Sequence, residues 1–124
     1  MKSPHPWFIL LAGAAFVAVP VSAPAKATAR APVIYKVTLQ QMAFGPLPAT
    51  IHVGDTIEWT NNDIFLHSAT ARDKSFDVEL KPKAHMRTTV RHAGAFPVAC
   101  RYHPGMVGTV VVEASTLAIR TQRH

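Results

Sequence analysis

Seven consecutive residues, Cys100-Arg101-Tyr102-His103-Pro104-Gly105-Met106, bring a thiol, an imidazole and a thioether together. No other stretch of the 124-residue chain concentrates metal-ligand chemistry in this way. Cysteine and histidine with a weak methionine form the ligand set of a blue-copper electron-transfer site once a second histidine joins them. The Cys-x2-His-x2-Met spacing suits a tight loop leaving a strand, with Pro104 and Gly105 making the bend that returns Met106. His67, which follows the apolar Ile64-Phe65-Leu66, is the candidate for the missing imidazole. His67, Cys100 and His103 would then form a trigonal set with Met106 as the long fourth ligand.

Other chemistries fit these residues less well. Cys100 is the one cysteine, so no intrachain disulfide is possible, and taken alone it would be a small buried hydrophobe. A Cys/His hydrolase needs an oxyanion site and an orienting acid, and no such arrangement is legible, so the chain is read as a non-enzyme. A copper-trafficking or storage protein using the same ligands is the alternative, and a metal-free interaction sandwich is the plainest one. Met42 and Met86 read as core or surface, and His52, His85, His92 and His124 as solvated strand or turn residues. Asp55 serves a turn, while Lys81, Lys83, Arg87 and Arg91 belong to a solvated face.

The elements that must hold the ligands are strands. Val33, Tyr35, Val37 and Leu39 alternate with Ile34, Lys36, Thr38 and Gln40, the period of a half-buried strand. Gly45-Pro46-Leu47-Pro48 forbids a helix and favours an extended loop. Thr50 to Val53 and Thr56 to Thr60 read as two strands of a hairpin about Gly54-Asp55, with Ile57 and Trp59 on one face. Short extended pieces follow over residues 64–70, around Phe76 and Val78, and over residues 84–91. Phe96, Val98 and Cys100 share a face, which places the cysteine with the apolar side chains. Thr109-Val110-Val111-Val112-Glu113 is the last strand. Seven or eight short strands without a helical period predict an all-β sandwich in a single domain.

The ends carry other information. Lys2, an apolar run from Phe8 to Val19 and small residues through Ala25 read as an export signal over residues 1–25. A linker over 26–32, a folded domain over 33–114 and a basic tail over 115–124 complete the expected organisation. The apolar run is shorter than the roughly 20 residues a membrane-spanning helix wants, so no stable insertion is expected after cleavage. The formal charge is +6, and losing Lys2 with the signal leaves +5. Such a balance could steer the protein toward an acidic redox partner or an anionic membrane face. Nucleic acid is excluded as a partner because the cations are scattered singly and the chain is exported.

Two stretches together resemble a known family. Val53-Gly54-Asp55-Thr56-Ile57-Glu58-Trp59-Thr60-Asn61 with Leu66-His67-Ser68-Ala69-Thr70, and residues 94–112 around the Cys-x2-His-x2-Met loop, are similar to the cupredoxins, in particular the amicyanin- and plastocyanin-like small blue copper proteins. The short ligand loop with Pro104 after the second histidine resembles amicyanin most. The resemblance implies a Greek-key β-sandwich, one type 1 copper on His67, Cys100, His103 and Met106, and one-electron transfer in the periplasm by a monomer. Its partners would be a redox donor and acceptor of the cytochrome or dehydrogenase/reductase type. Ser68 stands where many members have Asn, so the hydrogen bond tying the two ligand loops is expected to be made differently.

Overall fold

A computed structural model describes residues 1–4, 13, 15, 17–23 and 30–115. Half of the expected export signal and linker, including residues 5–12 and 24–29, and the tail from residue 116 onward lie outside the described residues.

Among the described residues there are nine strands and no helix: β1 (Ile34–Gln40), β2 (Ala43–Phe44), β3 (Ile51–His52), β4 (Thr56–Asn61), β5 (His67–Ala71), β6 (Asp77–Leu80), β7 (His85–Thr89), β8 (Gly94–Ala99) and β9 (Val107–Glu113). They form two sheets, ordered β2-β1-β4-β7 and β3-β9-β8-β5-β6. The expected all-β sandwich is therefore the fold, and two of its strands, β2 and β3, have only two residues each.

The core lies between the sheets because each alternating strand turns its apolar set inward. Val37 and Leu39 from β1, Ile57 and Trp59 from β4, Val98 from β8, and Val110 and Val112 from β9 are buried. Trp59 centres this core, edge-on to Phe44 at 5.9 Å and tilted against Phe76 at 6.0 Å. Its indole N–H donates to the buried Thr88 hydroxyl at 3.1 Å, so the largest side chain is buried without an orphaned donor.

One expectation fails. Gly54-Asp55 is not the turn of a hairpin: β3 pairs in parallel with β9, whereas β4 pairs in parallel with β1 and antiparallel with β7. The turn instead carries the chain from one sheet to the other. Gly54 supplies the φ of +97° this requires, which a side chain would resist. The buried Asp55 carboxylate then accepts from the Val33 and His52 amides, both at 2.9 Å, and from the Arg30 guanidinium at 2.6 Å. The Gln41-Met42 turn joining β1 to β2 was also not expected, since both residues are side-chain-bearing yet left-handed, with φ of 54° and 59°.

Pro97 is tolerated in the interior strand β8 because the β5–β8 ladder covers only Thr70↔Ala99 and Ala71↔Val98. The Pro97 carbonyl accepts from Arg72 at 2.9 Å just past that ladder.

Candidate metal centre

The first ligand candidate is placed by Asn61, the last residue of β4. Its buried amide donates to the carbonyls of Phe65 at 2.7 Å and Leu80 at 2.9 Å, and its oxygen accepts from the Asp63 amide at 2.9 Å. The residue 62–66 loop is thereby wrapped around one polar side chain, and it delivers His67, fully buried, at the start of β5.

Asp63 fixes the orientation of that imidazole. Its carboxylate accepts from the Gln41 and Met42 amides at 2.8 and 3.0 Å and lies 2.7 Å from His67 Nε2. The Met42 amide, and then the bond to His67, hold the Asp63 carboxyl below the ordinary carboxylate range. An acceptor at Nε2 keeps the proton on that nitrogen and leaves the Nδ1 lone pair for a metal. Sequence alone assigns Asp63 no role, although an acid four residues before a ligand candidate is a signal for one.

The second half comes from the loop between β8 and β9. Met106 donates its amide to the His103 carbonyl at 2.9 Å, and the Cys100 amide donates to the Met106 carbonyl at 3.0 Å. These bonds close the loop on itself. Cys100 and Met106 are buried at 4% and 1% exposure, and His103 is half-buried.

The two halves meet. His67 Nδ1 and His103 Nδ1 are 3.1 Å apart, and Cys100 Sγ lies 3.9 and 3.5 Å from them. Among the described residues this is the one group of three His, Cys, Asp or Glu side chains close enough to share an ion. Sγ also accepts from the Ser68 amide at 3.3 Å, an arrangement that suits a thiolate. Two imidazole nitrogens and a sulfur on one point suit copper well and hard oxygen-seeking cations poorly.

The link expected from Ser68 is present in altered form: its hydroxyl accepts from the Arg101 amide at 2.8 Å. Arg101 also reaches Asp77 at 2.7 Å and Glu79 at 3.7 Å with its guanidinium, and Tyr102 donates to Glu79. The Tyr102 hydroxyl is pushed above its ordinary pKa chiefly by that bond.

A family model described as a cupredoxin-like domain matches residues 8–112. The chain belongs to the cupredoxin family. Among solved structures, a reduced variant of amicyanin is 26% identical, covering 64% of this chain and 82% of its own, with a TM-score of 0.56. An oxidised amicyanin variant is 25% identical over 64% of this cupredoxin and 81% of its own chain, with a TM-score of 0.57. A purple cupredoxin from Nitrosopumilus maritimus, 23% identical, covers 64% and 99% with a TM-score of 0.56 and speaks to the fold alone. Family and donor set together are consistent with copper and with electron transfer.

Proposed function

We propose that this cupredoxin is an exported, periplasmic carrier of single electrons, binding one type 1 copper through His67, Cys100 and His103 with Met106 as a weak fourth ligand. The observation that carries this reading is the meeting of His67 Nδ1, His103 Nδ1 and Cys100 Sγ within 4.8 Å of one another. Copper held there would alternate between Cu(II) and Cu(I). The protein's part is to keep one donor geometry for both states. Asp63 orients His67, Ser68 supports the sulfur, and the surrounding core excludes water.

Burial of Cys100 favours a carrier over a trafficking or storage protein, because handing a metal on by ligand exchange needs an approachable thiolate. Electrons would pass at the half-buried His103. An apolar surface there is offered by Phe65 and Val107, exposed at 49% and 64%, whereas Phe44 turns inward against Trp59. Phe65 stands edge-on to His103 at 6.2 Å, and the neighbouring Ile64, 79% exposed, extends the apolar surface. A small apolar area suits the brief docking of a redox donor or acceptor of the cytochrome or dehydrogenase/reductase type. Arg101 has its charge committed to Asp77 and Glu79, so attraction of an acidic partner falls instead to Lys81 and Lys83, for which no ion pair occurs among the described residues.

Loading with Cu(II) tests the reading. An intense visible thiolate band with a narrow paramagnetic-resonance splitting is expected, and Cys100→Ala is expected to abolish both. A colourless wild type would overturn the proposal. Val107→Asp is expected to slow electron exchange with a redox partner while leaving the visible band in place.

A further inference from the structure

Four residues beside the metal centre, three through their side chains and Arg101 through both its amide and its guanidinium, form a closed hydrogen-bonded ring whose direction is fixed at every link. The Arg101 amide donates to Ser68 Oγ at 2.8 Å, Ser68 Oγ lies 3.0 Å from Thr70 Oγ1, and Thr70 Oγ1 donates to Asp77 Oδ1 at 2.8 Å. The Arg101 guanidinium closes the ring on Asp77 Oδ2 at 2.7 Å. A hydroxyl has one proton to give. Thr70 gives its proton to the carboxylate, so Ser68 must give its own to Thr70, and the Ser68 lone pairs are left for the Arg101 amide.

The register explains how the ring forms. Thr70 and Asp77 are directly opposite across β5 and β6, and Thr70 is opposite Ala99 on β8, the residue before Cys100. Ser68 and Thr70 share the face of β5 opposite Ala69 and Ala71, which lie in the core. Both hydroxyl residues are nonetheless buried, at 0% and 7% exposure. Arg101 spans β5 from the ligand loop to β6.

We infer that Thr70 and Asp77 are positioning residues for the metal centre, orienting the Ser68 hydroxyl so that Ser68 holds Cys100 at two points. One point is the sulfur, held by the Ser68 amide at 3.3 Å; the other is the Cys100–Arg101 peptide, held by the Ser68 hydroxyl. A serine hydroxyl without an acceptor rotates, and the link to Thr70 removes that freedom. Asp77 ends the chain with an acceptor that donates nothing and anchors the Arg101 side chain from outside.

This inference rests on the proposed copper centre, but its first test does not. In the full metal-free chain, Thr70→Val removes the hydroxyl at nearly constant shape, and Asp77→Ala removes the terminal acceptor from an edge strand. Amide hydrogen exchange at Arg101 is expected to accelerate about tenfold or more in both, with Val37 and Trp59 unchanged, and Thr70→Ser is expected to restore the wild-type rate. An unchanged Arg101 rate, or equal acceleration at all three amides, would overturn the assignment, the second because it would reduce Thr70 and Asp77 to general stability. In the Cu(II)-loaded chain, the same two variants are expected to shift the visible band and the reduction potential, with Thr70→Ser matching wild type; an unmoved band and potential would also overturn it. A wild type that gives no visible band would defeat the copper reading, while the exchange measurement would still decide the ring.

Discussion

Asp63 has two oxygens and three donors to satisfy, and the way it does so makes it the most consequential residue outside the ligand set. One oxygen serves the Gln41 amide, and the other serves both the Met42 amide and His67 Nε2. Asp63→Ala would leave two amides without their partner and release the His67 ring to take either tautomer. A carboxylate behind a ligating histidine typically accounts for about 10–100-fold in metal affinity. Asp63→Ala is accordingly expected to weaken copper binding by that factor in competition with a chelator. An affinity within twofold of wild type would show that burial alone orients His67. Cys100 and His103 were legible from their spacing because one loop carries both. Asp63 was not, since its role depends on a turn whose two amides lie 22 and 21 residues upstream.

Two turns decide how the strands deliver these residues. Asp55 sits where the chain passes between sheets, and it ties Arg30 and Val33 to that crossing. Burial pushes its carboxyl up, but the Val33 and His52 amides and the Arg30 guanidinium together hold it below the ordinary range. A group depressed in the folded state adds stability above its unfolded pKa of about 3.9, and the addition is lost as pH falls through the folded value. In urea unfolding, Asp55→Ala is expected to cost about 2–3 kcal/mol at neutral pH. That gap should shrink below about pH 4; a gap that stayed constant into acid would remove the carboxylate from the explanation. The Gln41-Met42 turn carries backbone strain instead, because two residues with side chains adopt left-handed φ where Asn-Gly is the favoured pair. Replacing them with Asn-Gly is expected to raise stability by about 1–2 kcal/mol, and an unchanged unfolding midpoint would contradict that. Both turns also mark where sequence reading ran out. Alternation assigned the inward faces of β1, β4 and β8 correctly, whereas the run Val110-Val111-Val112 of β9 shows no alternation to read. Alternation carries no information on which strand lies alongside, so a Gly-Asp turn looks the same in a hairpin and in a crossing between sheets. In β5 all five residues are buried, so the Ser68 and Thr70 hydroxyls interrupt no visible pattern.

At the scale of the whole molecule, the distribution of charge bears on the partner more than its total does. Arg30, Arg87 and Arg101 each form ion pairs within the chain, with Asp55, Glu58 and Asp77, and these contribute little to an external field. Lys81 and Lys83 differ. They occupy the turn between β6 and β7, where the Lys83 amide donates to the Asn61 carbonyl at 3.0 Å and Leu80 lies opposite His67 in the sheet. This puts two lysines at the same end of the sandwich as the ligand loops, beside exposed Ile64 and Phe65. Charges so placed alter encounter rates without altering the centre itself. With the copper-loaded chain first reduced to Cu(I), replacing both lysines by glutamate is expected to slow oxidation by an anionic oxidant such as hexacyanoferrate(III) and to speed oxidation by a cationic cobalt(III) complex. The visible spectrum should stay unchanged. Both differences should fade near 1 M salt, where the screening length falls to about 3 Å. Equal rates for wild type and variant at low salt would place the electron's exit away from the β6–β7 end, and would redirect the search for a partner to another face.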